Sequence, residues 1–493
     1  LTHHVNQGPR QRDLLYSAAG LLLPLAAAMC ALPILIQALG LTRFGLLMMM
    51  MAGVLYLSVL DLGIGTAITY WLSRRNSSAD ESGGVIGSAT TVVLVIGLFV
   101  GAAMLYFAPR LASLVGDADL LADVTLALRV LGLAAAPVLL GALYSGVLAA
   151  EQRFWELNWI RSLMGVLSYA GPAAASLWMP SLSLSCAVLV AVRAIWAALL
   201  FRECHRLAPI RLSGAVDAVL TLRPLLRFGA WLTVSNLVGP IMMYMDRFYL
   251  GLVRSAEDVA RYVTPYEIAT RLTLLPAAVM PVLFPAFVRL FANRDTRMPP
   301  SALPMQTAFW IATACALAAG SLSFGAPAVI KIIGGGELAE DSVKVLRILL
   351  AATLLNCLAQ VHFAQVQSTG RTDLIAKVHL VEVCLYIPAL LLLLDILGIV
   401  GVALAWALRA SIDAGVFCRM AGSNEDAVQR QRSRTLFWGV AMYSLLITVS
   451  AFGSAQWLDV LVLAIPLLVC FGVFANFRSQ GALMRSLRAI WRV

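Results

Sequence analysis

Nine charged side chains stand deep inside apolar stretches of this 493-residue chain: Asp61, Arg193, Asp246, Arg247, Glu267, Arg271, Glu382, Arg409 and Asp413. A guanidinium in such a place matches phosphate oxygens through paired N–H donors, and a carboxylate there can take up a proton or a cation. A charge at mid-bilayer costs about 3 kcal/mol on insertion scales, so residues of this kind face a cavity or a partner. Glu267 and Arg271 are four apart on one run, as are Arg409 and Asp413, so each pair can also neutralise itself. Arg129 and Arg347 lie nearer a run end, where they can snorkel to the interface, and Asp246-Arg247 can mark a rim. So many ions cannot all face lipid, and the set predicts a hydrated central cavity. Arg193, Arg409, Arg247, Arg271 and Asp61 are its candidate lining residues.

Other chemistry is missing. There is no Gly-x-x-x-x-Gly-Lys-Ser/Thr, and the lysines are Lys331, Lys344 and Lys377, which excludes a nucleotide-driven motor within the chain. His3, His4, His205, His362 and His379 make no metal-binding spacing, and the 8 cysteines include no Cys-x-x-Cys. No metal, cofactor or disulfide framework is expected.

The elements that must position these charges are membrane helices. The chain is 61% hydrophobic and 13% charged, with a mean hydropathy of +0.86, where a soluble domain is roughly half apolar and a quarter charged. The net charge of +10 does not indicate nucleic acid, because the arginines punctuate apolar runs instead of forming a basic domain. The runs lie near 15–39, 46–72, 85–108, 120–149, 158–178, 182–203, 228–250, 263–290, 305–325, 343–366, 375–395, 397–418, 436–456 and 458–476. Each suits a span of about 20 residues, giving an all-α polytopic membrane protein of about fourteen helices. Residues 1–13 are polar and 14–39 too long for a signal-peptide core, so this start reads as a retained first helix.

Arginines set the orientation. With the N-terminus inside, Arg10, Arg12, Arg74, Arg75, Arg153, Arg202, Arg206, Arg211, Arg223 and Arg227 are cytoplasmic, and so are Arg430, Arg432, Arg434 and those of the tail. The other side receives Arg43, Arg110, Arg254, Arg261 and Lys331. Both termini are therefore expected in the cytoplasm.

Leu128-Arg129-Val130-Leu131 matches Leu346-Arg347-Ile348-Leu349 at an offset of 218 residues, which also carries Arg153 onto Arg371. This predicts two six-helix lobes related by an axis along the membrane normal. The expected organisation is a lobe at 1–203, a cytoplasmic linker at 204–227, a second lobe at 228–418, a loop with two further helices at 419–476, and a basic amphipathic tail at 477–493. Pro24 and Pro33, Pro276, Pro281 and Pro285, and Gly63 and Gly65 after Asp61 are expected to interrupt their helices.

Several blocks carry a family likeness. Pro33-Ile34-Leu35-Ile36, Leu39 to Gly45 and Leu60-Asp61-Leu62-Gly63-Ile64-Gly65 resemble the opening of bacterial Wzx-type polysaccharide flippases, of the multidrug/oligosaccharidyl-lipid/polysaccharide exporter superfamily. Phe228-Gly229-Ala230-Trp231, Asp246-Arg247-Phe248, Tyr262 to Tyr266, Leu283-Phe284-Pro285 and Gly336 to Leu349 extend the resemblance to about residue 420. It implies a V-shaped cavity that opens alternately to each side and carries an undecaprenyl-diphosphate-linked oligosaccharide outward, not an enzyme. It also implies membrane lipids as surroundings, a glycan polymerase and chain-length proteins as partners, and coupling to protons or sodium, for which Asp61, Glu267 and Glu382 would be the candidates. It implies as well a cation-rich substrate cavity, which Arg193, Arg247, Arg271 and Arg409 fit. A lipid II flippase and a multidrug exporter share the fold; deep arginines speak against a cation exporter. A glycan polymerase or ligase is disfavoured by short outer loops, the longest near 326–342.

Arg193 and Arg409 are separated by 216 residues, almost the repeat offset, and lie at mid-helix in related positions. They are the expected pair for the diphosphate.

Overall fold

The structure is a computed structural model that describes residues 11–57, 68, 72, 79–114, 118–151, 153–212, 214, 244–292, 302–334, 338, 340–369, 372–423, 427–453 and 456–480. Apart from turns and short connections these residues are helical, and none is in a strand. The chain forms two compact units, Leu1–Val263 and Thr264–Val493.

In the first unit, α1 (Gln11–Leu57) runs helically through Pro24 and Pro33 and reverses at Gly40, whose φ is 75°. The expected interruption at the prolines does not occur. The turn falls where no Cβ opposes a left-handed backbone. α2 (Ala79–Ser113) follows. The fourth run splits into α3 (Leu121–Gly132) and α4 (Ala135–Ala150), where the Leu133 and Ala134 N–H groups bond to carbonyls three residues back. α5 (Phe154–Trp178) and α6 (Leu182–Leu207) complete the set, with α5 packed on α1 and α6. Small residues set the close contacts: Gly97 faces Ala136, and Gly101 faces Gly132, so α2 approaches α3 and α4 backbone to backbone. Phe99, Tyr106 and Trp178 stay exposed, as a lipid-facing surface requires.

Segments assigned to the outer side meet at one end of this unit. Asp123 accepts hydrogen bonds from the Leu182 and Ser183 N–H groups at the start of α6, and Arg43 stands 3.7 Å from the same carboxylate. Thr42 donates to Glu257 on α7 (Ala256–Thr270), and Gly45 lies so close to the Ala256 carbonyl that no side chain fits between them.

In the second unit, a 3₁₀ turn at Arg271–Thr273 precedes α8 (Leu274–Ala292). Pro276 has no N–H for the Leu272 carbonyl, and the backbone tightens there while α8 itself continues through Pro281 and Pro285. α9 (Ala302–Phe324) leads into α10 (Ala326–Gly334), so the longest expected outer loop is largely a short helix seated by Ile330 and Ile333. α11 (Glu340–Ser368) is the centre: 83% of its apolar window is buried. α12 (Thr372–Gly422) is 51 residues long, about 75 Å if straight, against a hydrocarbon core of about 30 Å. It folds back at Gly398, with φ 60°, and therefore makes two passes. α13 (Ala427–Ser450) and α14 (Gln456–Gln480) pack against α9, where the Tyr443 hydroxyl donates to the Val462 carbonyl at 2.6 Å. Residues 481–493, most of the expected amphipathic tail, lie outside the described residues.

Candidate functional site

Arg193 and Arg409 stand at mid-helix, one in each unit. Arg193 is eleven residues into α6, about 17 Å from its N-terminal end and about 21 Å from its C-terminal end. It is buried; its Nη1 donates to the Met164 sulfur on α5 at 3.1 Å, and Nε has no partner among the described residues. A thioether is a weak acceptor, and no described carboxylate pairs with this cation.

Arg409 stands eleven residues beyond Gly398, midway along the second pass of α12. Asp413 is one turn away, yet no ion pair forms. The Arg409 guanidinium instead lies 5.4 Å from the Trp406 ring centre and 6.0 Å from that of Tyr386. Aromatic faces hold an arginine without discharging it. Arg409 and Asp413 therefore do not form the i, i+4 ion pair that their spacing allows, although Arg409 still acts on Asp413 at longer range. Arg409 opens into a cleft lined with Glu382, Leu385, Tyr386, Ala389, Ala405, Leu408 and Ile412.

Beside that cleft the two passes of α12 bring His379, Glu382 and Asp413 together, with one potential ligand atom from each lying within 4.8 Å of the others. Glu382 is 3% exposed, and neither of its oxygens meets a hydrogen-bond donor. On α11 the buried His362 side chain interacts with Gln365 one turn on.

The other expected residues fare differently. Glu267 and Arg271 do pair, at 2.6 Å, so each already has its counter-charge. Asp246 and Arg247 are buried, not a rim: Tyr262 donates to Asp246 at 2.6 Å, and Arg247 lies 5.3 Å from the Tyr244 ring centre. Arg347 does not snorkel; it bonds to the Ser323 and Ser450 carbonyls and pairs with Asp459 at 2.9 Å. Asp61 lies outside the described residues. Sequence reading missed His379, Tyr386 and Trp406. The His379 and Glu382 spacing of three was visible, but Asp413 joins them only through the reversal at Gly398.

Comparison with known proteins places this arrangement. The sequence profile of the family described as "Polysaccharide biosynthesis protein" matches residues 12–291. A Shigella flexneri protein described as "Putative O-antigen transporter" is 26% identical over 406 residues, covering 82% of this chain and 95% of its own. The lipopolysaccharide biosynthesis protein WzxC of Escherichia coli (strain K12) is 22% identical over 309 residues, covering 60% and 59%. Among solved structures, the lipid II flippase MurJ in an inward closed conformation superposes with a TM-score of 0.71 at 13% identity, covering 94% of this chain and 99% of its own. An inward-facing multidrug transporter of the MATE family gives 0.60 at 16% identity, covering 86% and 99%. These two likenesses carry the fold.

Proposed function

This chain belongs to the polysaccharide biosynthesis protein family, and from that we infer that it is a flippase for an undecaprenyl-diphosphate-linked oligosaccharide. It carries this lipid from the cytoplasmic to the periplasmic leaflet of the bacterial inner membrane, by alternating access, for O-antigen or exopolysaccharide assembly. The observation that carries the reading is the likeness to the Shigella flexneri protein described as "Putative O-antigen transporter", across 95% of that protein's length. The geometry supports it: Arg193 and Arg409 are deep cations with no ion-pair partner among the described residues, and phosphate oxygens match such donors. Arg247 and Arg271 are weaker contacts, the latter because Glu267 already binds it. Asp61 and Glu382 are the carboxylates we propose for ion coupling; Glu267 is the weaker choice for the same reason. A glycan polymerase and chain-length proteins are the expected partners on the product side.

The test is reconstitution. Proteoliposomes holding the chain and a fluorescent undecaprenyl-diphosphate oligosaccharide should expose that oligosaccharide to an external lectin several-fold faster than protein-free vesicles. Equal rates would refute the reading. We further propose that both termini are cytoplasmic and that residues 251–262 are outside. Ser255 is exposed, so Ser255→Cys in whole cells should react with an impermeant maleimide before the inner membrane is permeabilised. Labelling only afterwards would invert the topology.

A further inference from the structure

We propose that His379, Glu382 and Asp413 form a binding site for one divalent transition-metal ion of the zinc or cobalt class. The proposal deepens the reading of Glu382 as an ion-coupling carboxylate and rests on it only for its role in transport. One potential ligand atom from each of the three residues lies within 4.8 Å of the others. Ligands around a tetrahedral ion at about 2.1 Å stand about 3.4 Å apart, so side-chain rotations of about an ångström complete the shell.

A cluster alone would not argue for an ion. The second observation is the state of its carboxylates. Glu382 is 3% exposed with both oxygens lacking a donor, and buried Asp413 Oδ1 also has none among the described residues. The two buried carboxylates face one another closely enough to share a hydrogen bond, which requires a proton on one of them, and a dication can take that proton's place. The charged and titratable groups acting on them are His379, each other and Arg409. Arg409 could quench one carboxylate, but it stands against Trp406 and Tyr386 and forms no ion pair. A dication between the carboxylates supplies the missing charge.

The third ligand decides the class. Sodium, magnesium and calcium prefer oxygen shells, whereas an imidazole nitrogen with carboxylates suits zinc, cobalt or nickel. The His379 ring is already oriented, parallel to Phe363 at 6.0 Å and edge-on to Phe417 at 6.1 Å. His379 is half-buried and seven residues from the start of α12, about 10 Å from the helix end, which leaves an entry path.

The experiment uses the full chain in lipid nanodiscs, purified without a polyhistidine tag, stripped with chelator and titrated with Co²⁺. Visible absorption reports coordination. We expect one saturable Co²⁺ per chain, displaced by Zn²⁺ but not by excess Mg²⁺, Ca²⁺ or Na⁺. Binding should weaken at least tenfold in each of His379→Ala, His379→Gln, Glu382→Gln and Asp413→Asn, and be unchanged in Arg129→Ala. No saturable binding to a monodisperse, folded chain, or binding unchanged in both His379 variants, would overturn the proposal. Glycan export by Glu382→Gln separates the two readings. Lost export without Co²⁺ binding to the parent chain leaves coupling in place with a proton or monovalent ion and removes the metal. Co²⁺ binding with normal export keeps the metal site and removes its coupling role.

Discussion

Arg409→Ala and Arg193→Ala should each reduce glycan export at least tenfold while leaving the abundance of the chain in the membrane unchanged. A hydrogen bond to a charged group contributes about 1.5–3 kcal/mol, which corresponds to a factor of roughly 10 to 150 in binding. Both guanidiniums stand at mid-helix in their units, and neither is spent on a carboxylate: Arg193 reaches the Met164 sulfur, and Arg409 rests on Trp406 and Tyr386. The same geometry predicts what stability will do. Truncating a paired buried cation strands its partner and destabilises strongly; Arg193 pairs with no described carboxylate and strands none, whereas removing Arg409 takes a cation away from buried Glu382 and Asp413. Thermal unfolding in detergent should therefore stay level, or rise, in Arg193→Ala as its export falls. Arg→Lys should retain part of the activity, because the charge remains and the bidentate fork is lost. Normal export by both alanine variants would place the diphosphate elsewhere. Coincident loss of export and of folded protein would make the arginines structural.

The spans were legible because hydrophobicity alone dictates them: a 20-residue apolar run has one stable place in a bilayer. The reversals at Gly40 and Gly398 were legible too: the apolar runs break between 39 and 46 and between 395 and 397, and glycine tolerates the positive φ found there. Proline misled, because α1 and α8 run on helically through theirs. The mid-helix arginines were legible as charges out of place. Their partners were not, because pairing four residues apart is a local rule that tertiary packing can override. Glu267 and Arg271 obey it, whereas Asp413 is drawn to Glu382 across the two passes of α12 and leaves Arg409 to its aromatic neighbours. The internal repeat misled in one place for an instructive reason. Arg129 is exposed on α3, as a snorkelling residue should be, but its counterpart Arg347 is covered by α13 and α14, which have no equivalent in the first half.

That asymmetry yields the second large effect: Arg347→Ala should destabilise the chain by about 3 kcal/mol, while Arg129→Ala should change its stability by less than about 0.5 kcal/mol. Arg347 ties three other helices together at one end of its unit. Its Nη1 donates to the Ser450 carbonyl ending α13 at 2.6 Å, its Nε to Ser323 on α9 at 3.3 Å, and its Nη2 pairs with Asp459 on α14. Its side chain is 7% exposed, so truncation leaves two carbonyls and a carboxylate to find new partners inside the packing. Asp459 is 29% exposed and partly screened, which sets the expected loss at the low end for a broken buried pair. A double-mutant cycle with Asp459→Asn, read from thermal unfolding in detergent, should return a coupling of about 1–2 kcal/mol. The damage should be local. Chymotrypsin should cut after Phe452, exposed in the turn between α13 and α14, in Arg347→Ala well before it cuts the parent, because the end of α13 has lost its anchor. An Arg347→Ala chain as stable as its parent, or a cycle with no coupling, would mean that the apolar seam around Tyr443 holds the two added helices alone.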